Sequence, residues 1–125
     1  MTYDLFSASH EYSDECQRLD MPDADVTLYP LLFSQSEADQ LQQALLQNIA
    51  WQQESIKLYG RVHRVPRLTA WHGDPDKTYR YSGITHEPEL WTPALLMIKQ
   101  RIEEVSNARF NSVLLNHYRN GADSM

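Results

Sequence analysis

The sequence predicts an α+β protein, because two helices with clear start signals lie among segments that have the alternating pattern of strands. Ser34 lies three residues before Glu37, which is the spacing of a capping box at a helix start. Thr92 followed by Pro93 places an N-cap residue before a proline in the first helical position. Residues 110–118 alternate in character until a turn signal ends the pattern, which predicts a strand.

Each predicted helix has one apolar face, which indicates that it packs as scaffold against the rest of the fold. In the first helix this face consists of Ala38, Leu41, Ala44, Leu45 and Ile49. In the second helix it consists of Leu95, Ile98, Ile102 and Val105. We expect the charged residues of the second helix to face water: Lys99, Arg101, Glu103 and Glu104.

The composition indicates one small domain. The chain has 125 residues, of which 42% are hydrophobic and 22% are charged, as is usual for globular proteins. Cys16 is the only cysteine, so an internal disulfide is excluded and no feature requires an oxidising compartment. The first residues lack the basic and apolar regions of a signal peptide, and the longest apolar run has five residues. We therefore expect a cytoplasmic protein.

The charge is distributed unevenly along the chain, whose formal net charge is −6. Residues 1–39 contain nine acidic residues and one basic residue, and we expect residues 1–26 to form an acidic, loosely ordered arm. Residues 40–125 have a net charge of +2, and within them an eleven-residue window without any acid contains Lys57, Arg61, Arg64 and Arg67. Such a window can contact phosphates, although ordinary solvated surface charges explain it equally well.

Residues 51–67 have the pattern of two strands joined at Gly60. The predicted tip, Tyr59-Gly60-Arg61, combines an aromatic ring, a residue that readily adopts positive φ, and a cation. A ring beside a cation suits contacts with an unstacked base and a phosphate. The alternative is a plain hairpin with an exposed tyrosine, which is the commoner situation.

The segment 66–74 is predicted to be a strand that ends in a turn. It contains His72-Gly73-Asp74, which has the His-x-Asp form found in facial iron triads. A triad also needs a third ligand, and its ligands converge from stiff strands, whereas Asp74 precedes a proline in a turn sequence. We therefore expect that His72 and Asp74 do not bind a metal.

A second strand is predicted at residues 78–83, with Tyr79 and Tyr81 on one face and Arg80 on the other. Two adjacent aromatic rings with hydroxyl groups can stack on a nucleobase and hydrogen-bond to it. From the spacing alone, an aromatic pair that only packs against a neighbouring strand is the simpler explanation.

The last predicted strand, residues 110–118, ends with two polar side chains on one face. Side chains two residues apart share a face, so Asn116 and Tyr118 lie side by side, with His117 on the opposite face. The amide and the phenol can donate hydrogen bonds to a small anion without adding a charge. Asn120-Gly121 then predicts a turn.

The order of these segments resembles the AlkB-type Fe(II)- and 2-oxoglutarate-dependent dioxygenases, in particular the members that repair alkylated nucleic acid. The resemblance covers residues 50–125. It rests on seven motifs in sequence: the aromatic-Gly-basic tip, Val65-Pro66-Arg67, a Gly-Asp turn, Tyr79-Arg80-Tyr81-Ser82-Gly83, a Thr-Pro helix start, the Asn116-x-Tyr118 strand and an Asn-Gly turn. Any one of these motifs is weak evidence, whereas seven at matching intervals are specific.

The resemblance implies a role for each of these segments. Asn116 and Tyr118 would bind 2-oxoglutarate. Tyr59 would wedge into the base stack, with Gly60 in the turn beside it and Arg61 in contact with a phosphate. The substrate pocket would be lined by Tyr79, Arg80, Tyr81 and Ser82.

The resemblance also implies a fold and the position of the metal ligands. Residues 27–125 would form the N-terminal part of a double-stranded β-helix, or jelly roll, braced by two helices. In the family, the iron-binding His-x-Asp, a later His and the Arg that pairs with 2-oxoglutarate follow at positions beyond residue 125. We therefore expect no metal ligands and no catalytic residue in this chain, and we expect residues 1–125 alone to be inactive.

The activity implied by the resemblance is oxidative demethylation of N-alkylated bases in DNA or RNA, such as 1-methyladenine and 3-methylcytosine. With Fe(II), O2 and 2-oxoglutarate, the N-methyl group would be hydroxylated and would leave as formaldehyde. We expect a monomer that acts on alkylated nucleic acid and not at a membrane. Two alternatives remain: a non-catalytic nucleic-acid-binding module that uses the basic hairpin and the tyrosines, and a remnant that makes only protein contacts through unpaired strand edges.

Overall fold

The computed structural model describes residues 12–75, 79–81 and 84–125, and for residues 79–81 and 84–86 it defines the backbone. In chain order the elements are β1 (Gln17–Leu19), β2 (Val26–Leu28), α1 (Gln35–Asn48), β3 (Ser55–Leu58), β4 (Arg61–Arg64), β5 (Leu68–Gly73), β6 (Tyr79–Tyr81), β7 (Ile84–His86), α2 (Pro93–Ser106) and β8 (Ser112–His117). They form two compact units. The helical unit contains β1, β2, α1 and α2, and the strand unit contains β3 to β8. Within the residues that the structure describes, neither helix is long and apolar enough to cross a membrane.

The start of α1 follows from the capping box that the sequence predicts. The Ser34 hydroxyl accepts a hydrogen bond of 3.1 Å from the backbone N–H of Glu37, and the Ser34 N–H donates one of 3.0 Å to Glu37 Oε1. These reciprocal bonds satisfy two backbone donors that a helix start leaves open. The helix ends at Asn48, so Ile49 does not extend its apolar face and is buried in the following segment.

The core of the helical unit forms between α1 and α2. Leu41 and Ala44 of α1 are buried together with Ala94 of α2. The partly buried side chains packed against them are Phe33, Leu45, Met97 and Ile98. Ala38 was expected on this apolar face but is exposed, and Glu37 occupies the buried position one residue earlier.

Arg101 of α2 is buried, although the sequence predicts that it faces water. It is 8% exposed, and its two Nη atoms donate hydrogen bonds of 2.9 and 2.8 Å to the carboxylate of Glu37. Nη1 also donates to the backbone oxygen of Leu32, and the guanidinium lies 4.0 Å from the ring centroid of Tyr12 and 4.8 Å from that of Phe33. The hydrogen bonds from Arg101 hold the pKa of Glu37 below its ordinary value of 4.5. An arginine is tolerated in such a place when its donors are satisfied, and helical spacing cannot reveal a partner 64 residues away.

The rest of α2 agrees better with the sequence. The helix begins at Pro93, as the Thr92-Pro93 signal predicts, and its apolar face is buried or partly buried at Leu95, Ile98, Ile102 and Val105. Lys99 Nζ lies 3.1 Å from Glu103 Oε2, and the Glu103 side chain is 9% exposed, so this carboxylate is also more covered than expected.

Part of the predicted acidic arm forms a hairpin in the helical unit. β1 pairs antiparallel with β2, with Gln17 opposite Leu28 and Leu19 opposite Val26. Asp23 lies between the two strands at φ 55°. β1 could not be predicted from the sequence, because a strand of three residues is too short to show an alternating pattern.

The strand unit consists of three antiparallel pairs, β3 with β4, β5 with β8, and β6 with β7. They confirm the strands predicted around Gly60 and within residues 66–74, 78–83 and 110–118. With the two helices they confirm the α+β class. The described strands form four two-stranded sheets, counting β1–β2, and the jelly roll stays a prediction.

Gly73 is required by the close approach of β8 to the end of β5. A Cβ atom at this position would lie 2.7 Å from the backbone oxygen of Asn111 and 2.7 and 2.9 Å from Cβ and Cα of Ser112. Two of these are backbone atoms, which cannot rotate away. The glycine therefore allows the register that places Gly73 opposite Ser112.

Candidate functional site

Pairing of β5 with β8 brings polar residues from distant parts of the sequence onto one face. Thr69 is opposite Asn116 and Trp71 is opposite Leu114, and residues directly opposite each other in an antiparallel pair lie on the same side. This face lines a cavity of about 530 Å³. The lining residues are Ala50, Gln52, Glu54, Arg67, Thr69, Ala70, Trp71, Glu87, Glu89, Leu114 and Asn116.

The most specific contact in this cavity joins Arg67 to Asn116. Arg67 Nε donates a hydrogen bond of 3.0 Å to Asn116 Oδ1. Both side chains are half-buried, and in the described part of the chain no carboxylate forms an ion pair with Arg67. The guanidinium therefore has further donors available to a ligand, and the Asn116 amide keeps its two N–H donors.

The remaining charges in the lining are negative. Glu54, Glu87 and Glu89 are exposed residues that line the same cavity. Carboxylates accept hydrogen bonds and attract cations, whereas Arg67 and Asn116 donate to anions. The cavity can therefore bind anionic groups at Arg67 and Asn116 and N–H groups at the carboxylates. These groups can belong to one ligand or to two.

The tip of the β3–β4 hairpin is exposed and has an unusual backbone. Tyr59 has a relative exposure of 103% and φ 50°, and Gly60 has φ 77°. Positive φ at both central residues is what a two-residue type I′ turn requires between the paired residues Leu58 and Arg61. This geometry confirms the predicted turn at Gly60. Positive φ at a tyrosine costs about 1–2 kcal/mol of conformational free energy. Asn or Gly is the usual residue at such a position.

The hairpin also presents exposed cations and exposed apolar side chains. Lys57, Arg61 and Arg64 are exposed, and no ion pair involves them among the described residues. Exposed apolar side chains lie between them, at Ile56, Leu58 and Val62. The tip residues do not line the cavity.

The structure brings only part of the predicted site together. Asn116 lines the cavity, whereas Tyr118 lies just beyond the end of β8, is 45% exposed and is not a lining residue. Tyr79, Arg80 and Tyr81 form β6 and pair with β7, and their side chains lie outside the description, as does Ser82 entirely. Their assignment to a substrate pocket stays a prediction.

His72 and Asp74 have structural partners. His72 is 3% exposed, and its Nδ1 donates a hydrogen bond of 2.7 Å to the backbone oxygen of Leu90. Its Nε2 is buried and has no hydrogen-bond partner among the described residues. Asp74 Oδ1 accepts a hydrogen bond of 2.8 Å from the indole N–H of Trp91. No group of three or more His, Cys, Asp or Glu within the described residues could hold a metal ion. That His72 and Asp74 do not bind a metal stays a prediction.

The turn after β8 is fixed by a local clamp. Arg119 donates to the carboxylate of Asp123 from its backbone N–H, from Nε and from Nη2, at 2.7–3.1 Å. The hydrogen bonds from Arg119 lower the pKa of Asp123 to about 2. Asn120 Oδ1 accepts from the N–H of Ala122, which confirms the predicted turn, and the N–H of Ser124 donates to the Pro66 carbonyl.

Sequence reasoning missed several lining residues. Arg67, Thr69 and Trp71 share the cavity face, and their spacing of two residues was visible in the sequence. Arg67 was considered only as part of a tripeptide and of a basic window. Glu87 and Glu89 follow a strand of three residues, for which no alternating signal exists.

Comparison with known proteins identifies the family of the chain. Residues 25–125 match the 2OG-Fe(II) oxygenase superfamily. The chain is 37% identical over 98 residues to mouse "DNA oxidative demethylase ALKBH2", covering 76% of this chain and 41% of that protein. It is 43% identical over 101 residues to human "Alpha-ketoglutarate-dependent dioxygenase alkB homolog 3", covering 80% of this chain and 35% of that protein.

The chain thus spans less than half the length of these relatives. The match to the family nevertheless extends over most of the chain and includes both β5 and β8. The AlkB-type resemblance seen in the sequence is confirmed. The chain belongs to the 2OG-Fe(II) oxygenase superfamily.

Proposed function

We propose that the protein that contains this chain demethylates N-alkylated bases in DNA or RNA by oxidation, with Fe(II), O2 and 2-oxoglutarate. The relatives support this proposal, since the mouse protein is named a DNA oxidative demethylase. The observation that supports it most directly is the fully exposed Tyr59, at positive φ, on a hairpin whose cations form no ion pair with any residue that the structure describes.

Tyr59 has the properties needed to replace a base that leaves its stack. Removing a base from a duplex costs about a few kcal/mol, and an inserted ring compensates part of this loss. A ring that only stabilised the hairpin would pack against it, whereas Tyr59 is fully exposed and its backbone is strained. Arg61 and Lys57 on the same hairpin are available to phosphates.

The cavity next to β5 and β8 fits the binding of 2-oxoglutarate. Asn116, whose oxygen is bonded to Arg67, supplies N–H donors suited to a carboxylate, and the Tyr118 hydroxyl follows on the same chain segment. When bound, Fe(II) and 2-oxoglutarate supply the oxidation chemistry. This chain's part is to hold the co-substrate through Asn116 and Tyr118, and the base through Tyr79, Tyr81 and Ser82.

The strand pairs would then be the N-terminal part of a jelly roll. We expect residues 1–125 alone to be inactive, as the family resemblance implies. Succinate formation by purified residues 1–125 with Fe(II) would contradict this part of the proposal.

The test of function uses the whole natural protein that contains the chain. It is incubated anaerobically with Fe(II), 2-oxoglutarate and an oligonucleotide containing 1-methyladenine or 3-methylcytosine, and air is then admitted. We expect formaldehyde and succinate in equal amounts and an unmethylated base in the product. Succinate without loss of the methyl group would show an oxygenase with a different substrate.

A second function, binding of nucleic acid without catalysis, is favoured by the exposed cations of the hairpin. It predicts salt-dependent binding that weakens when Arg61 and Arg64 are both replaced by Gln, with no formaldehyde under any condition. Each lost phosphate contact reduces the slope of log affinity against log salt by about 1.

A further inference from the structure

The bond between Arg67 and Asn116 determines which atoms Asn116 presents to a ligand. Arg67 Nε donates to Asn116 Oδ1, so the amide oxygen is engaged and the two N–H groups of Nδ2 are left as donors. We infer that Arg67 is a positioning residue that holds Asn116 as a hydrogen-bond donor toward a carboxylate of 2-oxoglutarate. This inference rests on the proposed function.

The side-chain amide of Asn116 needs another residue to fix its orientation, because its oxygen and its NH2 group are nearly the same size. Rotation by 180° exchanges the oxygen and the nitrogen of Asn116 with little change in shape. In one orientation the amide donates to an anion, and in the other its oxygen faces the anion and repels it. A cation bonded to the oxygen favours the donating orientation and also polarises the N–H groups.

The surroundings of Arg67 suit this task. Strand register places Thr69 opposite Asn116, so Arg67, two residues earlier, approaches the amide diagonally from the same face. No carboxylate among the described residues pairs with Arg67, although Glu54, Glu87 and Glu89 line the same cavity. The guanidinium can therefore engage Asn116 without competition from an ion pair.

The first experiment observes the amide directly in the whole protein without 2-oxoglutarate. The side-chain N–H resonances of Asn116 are assigned by their disappearance in Asn116→Ala. We expect Arg67→Gln to shift and broaden them, because the amide then samples both orientations. The control, Arg18→Gln, removes an arginine that is exposed in the helical unit and leaves these resonances unchanged. Resonances that Arg67→Gln does not move would overturn the inference.

The second experiment measures equilibrium binding of 2-oxoglutarate by calorimetry, anaerobically with Fe(II), so that no turnover occurs. We expect Arg67→Gln to weaken binding about tenfold, the loss of one charge-assisted hydrogen bond. In the Asn116→Ala background, Arg67→Gln should have almost no further effect, since Arg67 acts through Asn116. Additive losses would show that Arg67 binds the co-substrate itself. A loss confined to nucleic-acid affinity would show a phosphate contact. Either result would overturn the inference.

If Arg67→Gln does not fold, the variant Asn116→Asp tests the contact between Arg67 and Asn116 instead. A carboxylate in place of the amide would pair with Arg67, so we expect a higher unfolding temperature together with weaker 2-oxoglutarate binding. A lower unfolding temperature with unchanged binding would contradict the proposed contact.

The results also separate this inference from the proposed function. If the wild-type protein demethylates DNA and Arg67→Gln binds 2-oxoglutarate normally, the inference is wrong and the function stands. If the wild-type protein neither binds 2-oxoglutarate nor releases formaldehyde, the function is wrong and with it the role toward the co-substrate. The resonance experiment then decides whether Arg67 fixes the amide.

Discussion

Two arginines, one in each unit, differ in what surrounds their guanidinium groups. Arg101 in the helical unit is buried, forms a two-point ion pair with Glu37 and contacts the aromatic rings of Tyr12 and Phe33. Arg67 in the strand unit is half-buried, forms one side-chain bond to a neutral amide and lines a cavity. A cation that is paired with a buried carboxylate supports the fold, whereas a cation without an ion pair can act on the neutral groups that line a cavity.

The largest change in the free energy of unfolding is expected when the ion pair of Arg101 in the helical unit is removed. Arg101→Ala leaves the Glu37 carboxylate buried without its partner, so the free energy of unfolding should fall by about 3–5 kcal/mol. Urea unfolding measures it. The matched control is Arg18→Ala, which removes an exposed pair with Asp25 and should cost less than about 1 kcal/mol. Equal losses from the two variants would contradict the structural role of Arg101.

A smaller effect is expected in the strand unit when the β5–β8 approach is obstructed. Gly73→Ala places a methyl group against the backbone of Asn111 and Ser112, so it should destabilise the protein by about 1–3 kcal/mol and weaken binding in the cavity. Gly121→Ala is the control, because no atom lies within 4 Å of its added Cβ, and it should change stability by less than about 0.5 kcal/mol. Urea unfolding of both variants gives the difference, and a neutral Gly73→Ala would show that the two strands can separate without loss.

At the hairpin tip, stability and function should change in opposite directions. Tyr59→Asn relieves the strain of an aromatic residue at positive φ and should raise the free energy of unfolding by about 1 kcal/mol. It also removes the exposed ring, so affinity for alkylated duplex DNA should fall about tenfold, the size of one stacking contact. Unfolding curves and fluorescence anisotropy measure the two effects. A variant with lower stability and unchanged affinity would indicate a purely structural ring.

The smallest expected effect concerns acid pH and the clamp after β8. The folded-state pKa of Asp123 is about 2, below the ordinary 3.8, because Arg119 hydrogen-bonds to its carboxylate. A lowered pKa means that the stabilisation is complete above about pH 4 and is lost as pH falls toward 2. NMR titration of the Asp123 carboxyl should give this pKa, and Asp123→Asn should remove this part of the pH dependence. A midpoint near 4 would show that the clamp is open in solution.

The fold could be predicted from the sequence wherever the signal was local. The Ser34 capping box, the Thr92-Pro93 start and the turn at Gly60 each depend on residues within a few positions, and the structure contains all three. The burial of Arg101 could not be predicted, because its partner Glu37 lies in another helix and no periodicity connects them. The periodicity of a sequence predicts which face of a helix a residue lies on, but it does not predict which distant residue the side chain contacts.

The candidate site shows the same division. Asn116 was identified from its alternation and from the family resemblance, and it lines the cavity. Arg67 was not assigned a role there, because its bond to Asn116 depends on which strand pairs with β5, which only the three-dimensional structure shows. The exposure of Tyr59 was anticipated, but its positive φ was not, since the sequence placed that conformation at Gly60 alone.

The pairing of β5 with β8 also has a consequence for folding kinetics. Its residues are far apart along the chain, with Arg67 and Asn116 separated by 49 positions, whereas the β3–β4 hairpin closes over a two-residue turn. Local hairpins form in about 1–10 μs, while contacts between distant segments must first overcome the entropy of closing the intervening loop. The hairpin that presents Tyr59 can therefore form early, and the Arg67–Asn116 contact appears only when the strand unit completes its slowest step.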